Sequence, residues 1–261
     1  MIVTKFGGTS VEDAAAMKNA ARIIRDRIDR QPIVVSSACA GVTNALLTLA
    51  RLALTDVAHS LKMVEDLRQR HRKIIDDLFA GPARDTLCSY VDGMMDELRD
   101  LARSIGILGE LTNRSLDTFA SFGEKLSTFI LTAHLKQEGV DAVLVSAQEV
   151  VITSDDYTRA IPLFDEIDRR AQQLIGTRSR AGQVVVTQGF LGATRNGVPT
   201  TIGRGGSDYS AAIIGAALDV EEIQIWTDVD GMMTSDPSRI PAAQLISEMT
   251  FREAAELAFF G

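Results

Sequence analysis

The first ten residues, Met1-Ile2-Val3-Thr4-Lys5-Phe6-Gly7-Gly8-Thr9-Ser10, restrict the fold more than any other stretch of this chain. A short β-branched run ends in a lysine, an aromatic ring and two glycines. Val11-Glu12-Asp13-Ala14-Ala15-Ala16-Met17 then reads as the start of a helix. Strand, glycine turn and helix in that order open an α/β fold. Glycines at such a turn let backbone N–H groups close on a phosphate, and the helix N-terminus favours the anion. Lys5 adds a mobile positive charge beside them. The arrangement is equally that of an ordinary tight turn with a surface lysine. It is not a Walker loop, because the lysine precedes the glycines.

The same alternation continues along the chain. Residues 33–37 read as a buried strand after Pro32, followed by the small-residue turn Ala38-Cys39-Ala40-Gly41 and a helix from Thr43-Asn44 through Leu52. Residues 142–145, 184–190 and 223–228 are further strands, and Arg195-Asn196-Gly197 is a turn. From about Asp56 to Gly139 the pattern is helical. Leu61, Val64, Leu67, Ile74, Ile75 and Leu78 fit one apolar face, as do Phe119, Phe122, Leu126, Phe129 and Ile130, with Gly81-Pro82 and Gly106 as punctuation. This block is too long for a simple crossover and predicts an inserted helical subdomain, about 55–139. Strands alternating with helices predict a mainly parallel central sheet with helices on both faces. No internal repeat or low-complexity segment interrupts it.

Composition narrows the function classes. Hydrophobic residues make up 46% of the 261, enough for a substantial core. A formal net charge of -8 argues against a broad nucleic-acid-binding surface, although local cations and amides can still hold a phosphate ligand. Cys39 and Cys88 are the only cysteines, and neither has metal-ligand spacing to a partner. No apolar run reaches membrane-spanning length, and no basic and apolar leader precedes the first strand, so a cytoplasmic protein is expected. Met249-Thr250-Phe251-Arg252-Glu253 opens a helix with Thr250 as N-cap and Glu253 in the capping-box position. The chain then stops at Phe259-Phe260-Gly261, an apolar ending that predicts a domain continuing beyond it.

In parallel sheets ligands sit beyond the C-terminal ends of the strands. Lys5 and Gly7-Gly8 follow the first strand, residues 37–43 the second, Gln188-Gly189 another, and Thr227-Asp228 the last. The densest segment is Thr200-Thr201-Ile202-Gly203-Arg204-Gly205-Gly206-Ser207-Asp208-Tyr209-Ser210. It packs an arginine, three glycines, several hydroxyls and a carboxylate before a helix that opens at Ser210. The guanidinium of Arg204 suits a carboxylate or phosphate, while Ser207 or Asp208 can also serve simply as a helix cap. Asp228, Asp230 and Asp236 can hold a metal, bind ribose hydroxyls or make turns. They lack the EF-hand pattern, and no protein-held metal site is assigned. Glu124 lies between apolar helix positions. His59, His71 and His134 lie in charged helical surroundings and are expected at the surface.

Together these segments resemble the aspartate kinases, of the amino-acid kinase family. The residues that carry the resemblance are Lys5 to Val11, Ser37 to Asn44, Gly123-Glu124, Thr187 to Phe190, Gly203 to Tyr209 and Trp226 to Gly231. The resemblance implies a three-layer αβα sandwich, with residues 1–180 as the amino-acid lobe and 181–261 as part of the nucleotide lobe. It implies transfer of the ATP γ-phosphate to L-aspartate, giving 4-phospho-L-aspartate, at the entry to lysine, threonine and methionine synthesis, with Mg²⁺ accompanying the ATP. Other kinases of the same fold, acting on acetylglutamate or glutamate, and a non-catalytic ligand-binding fragment are the alternative readings.

By that resemblance Lys5 and the amides of Gly7, Gly8 and Thr9 hold phosphates, and Asp208 orients Lys5 or helps position the metal. Arg204 takes the α-carboxylate of aspartate and Glu124 its ammonium, with Ser37, Thr43 and Ser207 as hydrogen-bonding partners. Thr227, Asp228, Met233 and Arg239 lie on the nucleotide side. Met233 stands where similar enzymes often carry Tyr, and Arg239 is displaced by one position from the usual Asp-Pro-Arg. The family continues past Gly261 into an Ala-Lys segment that contacts ATP and then two ACT domains, and its full-length members are homo-oligomers. No membrane partner is expected.

Overall fold

The computed structural model describes residues 1–203, 205–236 and 239–260, the side chains of 258–260 excepted. They divide into two compact units, Met1–Trp226 and Thr227–Gly261.

The strands are β1 (Ile2–Phe6), β2 (Pro32–Ser36), β3 (Ala142–Leu144), β4 (Val184–Gln188), β5 (Leu191–Ala193), β6 (Pro199–Thr201) and β7 (Glu222–Trp226). Five of them form one parallel sheet in the order β3-β4-β2-β1-β7. The short β5 and β6 pair antiparallel as a hairpin around the turn at Gly197. Both had too few residues to show as strands in the sequence.

Helices cover both faces. On one side lie α1 (Ala14–Arg25), α2 (Val42–Leu52), α3 (Val57–Leu78), α4 (Gly81–Leu108) and α5 (Asn113–Gln137), sharing a core with Phe6, Val34 and Val186. On the other, α6 (Ala147–Val150), α7 (Phe164–Ala171) and α9 (Gly206–Leu218) pack on Val3, Ile33, Val35 and Val185. A π-helical turn, Gln172–Gly176, and the short α8 (Thr177–Arg180) follow α7. Side chains alternate across a strand, so Val3 and Lys5 of β1 share the α9 face while Phe6 enters the opposite core. Phe6, Phe119 and Phe122 are almost completely buried, each contributing about 2 kcal/mol by area removed from water.

The long helical block comprises α3, α4 and α5, with the two predicted apolar faces turned into the core. α5 also packs against β2, β3 and β4. Gly106 does not break the block. It sits inside α4, where a Cβ would collide with the side chain of Val57, so the missing side chain permits a close approach.

Two of the histidines depart from expectation. His59 is exposed, but His71 and His134 are buried. His71 lies on the inward face of α3 with Nδ1 2.8 Å from the Leu67 carbonyl. His134 meets the ring of Phe79 edge-on at 6.1 Å. Charged neighbours in the sequence point to the other side of each helix, and the 3.6-residue period turns the imidazoles inward.

In the second unit Met233 and Leu245 form an antiparallel bridge. Helix α10 (Phe251–Phe260) begins with the expected capping box. The Thr250 N–H donates to Glu253 at 2.7 Å, and the Glu253 N–H donates to the Thr250 hydroxyl at 3.2 Å. Among the described residues no helix is long and apolar enough to cross a membrane.

Burial lowers the pKa of His71 from 6.5 to about 4. The unfolded chain therefore binds more protons than the native one between these values, and stability falls as pH drops from 6.5 towards 4. We expect His71→Leu to flatten that part of the melting temperature profile, with the lowered pKa of His134 leaving a residual slope. An unchanged profile in thermal unfolding from pH 7 to pH 4 would assign the acid sensitivity elsewhere.

Candidate functional site

Lys5 follows three β-branched residues on β1, an interior strand between β2 and β7, so the sheet itself fixes its backbone on both sides. Its register partners are Val35 of β2 and Ile225 of β7. The side chain is buried and its Nζ lies 2.6 Å from Oδ1 of Asp208. Asp208 occupies the first turn of α9, which Gly205 opens in the left-handed region at φ 71°. No side chain caps that helix, so the Asp208 carboxylate goes to Lys5 instead. The helix begins at Gly206, four residues before the start expected from its apolar run.

A second contact seats α9 against the sheet. Gly189, just after β4, has no room for a side chain, since a Cβ would fall 2.7 Å from that of Ser207. The Phe190 N–H, at a positive φ of 64°, donates to the Ser210 hydroxyl at 2.8 Å. These contacts bring the Gln188-Gly189-Phe190 and Gly206-Ser207-Asp208 segments together.

The amides of the first turn are not equivalent. The Gly7 N–H donates to the Trp226 carbonyl at 3.0 Å, so it completes the sheet and is not free for a phosphate. Gly8 leads into a 3₁₀ turn, Thr9–Val11, and its carbonyl accepts from Val11 and Ala40.

A cleft of about 640 Å³ opens beside these elements. Gly8, Ser37, Thr43, Glu124, Gly206 and Ser207 all line it, so four segments distant in sequence converge there. Glu124 is the sharpest feature. It projects from the middle of α5, is 2% exposed, and its Oε2 has no hydrogen-bond partner among the described residues. Burial pushes its carboxyl up to about 8, only partly offset by its own backbone N–H and that of Ala38. Behind it a buried network fixes the helix. The Thr128 hydroxyl donates to the Glu124 carbonyl at 2.7 Å and accepts from the Gln188 amide at 2.9 Å. The Ser127 hydroxyl donates to the Ser37 carbonyl at 2.7 Å.

Such a carboxylate is costly unless a cation pairs with it. An ammonium on a ligand is one group that could pair with it. A lysine held by an aspartate at the adjoining glycine turn supplies positive charge for an anion.

Sequence reasoning missed Asp117, which also lines the cleft and is 1% exposed. The signal available was its position seven residues before Glu124, two turns along the same helix face. Arg204 lies outside the described residues. Thr227, Asp228, Met233 and Arg239 belong to the second unit. There the Thr227 hydroxyl donates to Asp228 at 3.0 Å, and Arg239 pairs with Asp236 at 3.7 Å.

The model of the amino acid kinase family matches residues 1–261. The chain belongs to the amino acid kinase family. It is 39% identical to aspartokinase 2, chloroplastic, of Arabidopsis thaliana over 99% of its length and 47% of that protein. It is 35% identical to lysine-sensitive aspartokinase 3 of Escherichia coli K12, over 100% of its length and 56% of the relative. A crystal structure of E. coli aspartokinase III with aspartate and ADP superposes with a TM-score of 0.92 at 34% identity, covering 100% of this chain and 56% of that one. The chain thus spans about half the length of the curated relatives it matches.

The pKa of Glu124 generates a prediction. A folded pKa of about 8 against 4.5 in the unfolded chain means that the native state holds the extra proton between these values. Its contribution to stability is full below pH 4.5 and is lost as pH rises through about 8. Glu124→Gln should remove that loss and match or exceed the wild-type melting temperature at pH 8 to 9. A marked drop for the glutamine variant at high pH would show that the ionised carboxylate is internally compensated.

Proposed function

We propose that this chain carries the catalytic site of an aspartate kinase, transferring the γ-phosphoryl group of ATP to the β-carboxylate of L-aspartate. The observation that carries the reading is the buried Glu124 carboxyl, whose Oε2 has no hydrogen-bond partner among the described residues, in a cleft also lined by Gly206 and Ser207, which lead into Asp208 of the Lys5–Asp208 pair. Similarity over the whole chain to aspartokinases, one of them crystallised with aspartate and ADP, supports it.

The nucleophile in this reaction is a carboxylate oxygen, ionised at neutral pH, so no general base is needed. The protein's task is to align two anions and offset the charge of the transferred group. Glu124 receives the substrate ammonium, which in turn favours its ionised form. Ser37, Thr43 and Ser207 supply hydroxyls around the same cleft. Arg204 is assigned to the α-carboxylate on the strength of the resemblance. Lys5, oriented by Asp208, lies against the phosphates, with Gly8 and Thr9 as the backbone wall. The β-carboxylate attacks phosphorus, the bond to the ADP oxygen breaks, and 4-phospho-L-aspartate and ADP leave. Thr227, Asp228, Met233 and Arg239 contact the nucleotide in this reading.

Mg²⁺ would supply further neutralisation of phosphate charge. Among the described residues no cluster of three or more His, Cys, Asp or Glu side chains can hold a metal. This donor set suits a Mg²⁺ carried mainly by phosphate oxygens and water, with Asp208 as the carboxylate at that end. The activity would place the protein at the first step of lysine, threonine and methionine synthesis.

A coupled ADP-release assay on the full-length protein tests the assignment. Turnover should require L-aspartate, and acetylglutamate and glutamate should not replace it. Lys5→Ala should lower turnover by about a hundredfold, the scale of one preorganised electrostatic contact, with little change in aspartate binding. Near-normal turnover of that variant would remove Lys5 from the mechanism. Arg204→Ala should weaken aspartate binding by about 2–5 kcal/mol. An effect confined to the ATP Michaelis constant would move Arg204 to the other subsite.

A further inference from the structure

Two carboxylates lie seven residues apart on the cleft side of α5. Glu124 has an oxygen without a partner among the described residues, whereas Asp117 is fully engaged by neutral donors. Its Oδ1 accepts from the Thr201 hydroxyl at 2.6 Å. Its Oδ2 accepts from the Thr201 N–H at 3.1 Å and from the Thr158 N–H at 2.8 Å. Asp117 has no ion-pair partner among the described residues, and burial pushes its carboxyl above the ordinary aspartate range against the pull of these bonds. A carboxylate buried at such cost, where an apolar residue would satisfy packing, calls for an explanation.

The two segments it ties down both form walls of the cleft. Thr201 ends β6, and two residues later the chain enters the glycine-rich turn that leads to Ser207 and Asp208. Thr158 sits in the loop spanned by the bridge between Thr153 and Pro162. Its φ is 72°, a left-handed conformation rarely adopted by a β-branched residue. The Ala160 N–H donates to the Thr201 carbonyl at 3.0 Å, so the loop and the strand end are also joined to each other. A Cβ on Gly203 would lie 3.7 Å from the Thr158 carbonyl oxygen, which sets this loop directly over the glycine turn. Thr158, Thr201 and Gly203 all line the cleft together with Asp117 and Glu124.

We infer that Asp117 is a positioning residue for the amino-acid subsite: through Thr201 and Thr158 it fixes the end of β6 and the loop beside Gly203 against α5, at a set spacing from Glu124. The inference rests on the aspartate-kinase reading for the identity of the ligand, but not for the geometry. One rigid helix then sets both halves of the recognition site. Glu124 reads the amine directly, and Asp117 acts two turns away by holding the segment that approaches the ligand from the opposite side. Asp208, which holds Lys5, stands on α9, and α9 is also seated by the Phe190–Ser210 hydrogen bond, which does not involve Asp117, so the effect should fall more on the amino acid than on the nucleotide.

Asp117→Asn, which keeps the shape and loses one acceptor, and Thr201→Val, which loses only the hydroxyl donor, test this in the full-length protein. Thr201→Ser serves as the conservative control. For Asp117→Asn the aspartate Michaelis constant should rise by about tenfold or more while that for ATP stays within about twofold, the scale of lost hydrogen bonds to a charged group. Thr201→Val should shift the same constant in the same direction, and Thr201→Ser should restore it. Amide hydrogen exchange of residues 158 and 201–208, without ligand, should quicken in Asp117→Asn while that of β1 and β2 does not. Unchanged exchange in the 201–208 turn would overturn the inference whatever the substrate. Equal losses for aspartate and ATP, with faster exchange throughout the sheet, would also overturn it by showing a general scaffold role. If wild-type protein fails to turn over aspartate, the functional reading fails, and the exchange comparison still decides the positioning role.

Discussion

Parallel pairing of β1 with both β2 and β7 is the constraint on which the rest of this molecule depends. Parallel strands bring all their C-terminal ends to one edge, and every connection leaving that edge must turn within a few residues. The edge therefore collects small residues and unsatisfied polar groups at the same place. Lys5 at the end of β1, Ser37 after β2 and Gly189 after β4 are neighbours for this reason alone. The Gly7 amide shows the limit of the argument. A glycine turn offers backbone donors, but the first of them closes the β1–β7 ladder on Trp226 before any ligand can use it.

How much of this was legible in the sequence depends on the range over which each signal acts. The parallel sheet, the flanking helices and the capping box at Thr250 and Glu253 arise from local periodicity and local hydrogen bonding, and they read directly. The hairpin of β5 and β6 did not, because three-residue strands carry too little pattern and exist here through pairing with each other. The convergence of Ser37, Glu124 and Ser207 on one cleft, with Lys5 joined to the neighbouring Asp208, was legible only through the strand-end rule and the family resemblance. The burial of His71 and His134 was not, since it depends on which side of each helix meets the core. Asp117 escaped notice for a similar reason: an aspartate near a helix start looks like a surface residue until its three partners arrive from Thr158 and Thr201.

The helix α5 unites these levels. Its apolar positions anchor it through Phe119, Phe122, Leu126 and Ile130, while the Thr128–Gln188 and Ser127–Ser37 hydrogen bonds lock its rotation against β4 and the β2 turn. That double fixation allows a carboxylate such as Glu124 to stay buried. A loosely packed helix would rotate or admit water until the charge was solvated, and the carboxyl would return to its ordinary range.

The protonation chemistry of the interior follows from the same packing, and it acts in two opposed directions. His71 is held neutral, so acid destabilises the fold through it, whereas Glu124 is held protonated, so base does. The two differ in what relieves them. Nothing that binds in the cleft can reach His71, on the inward face of α3, so its cost belongs to the scaffold. In the proposed function the cost of Glu124 would be removed by an amine in the cleft, since pairing with a cation stabilises the ionised form. Ligand binding should then release a proton near neutral pH and add more stability at pH 8 than at pH 6. A buried carboxylate kept only for packing would show neither coupling. The distinction between a structural and a functional buried acid thus lies less in its pKa than in whether a ligand can change it.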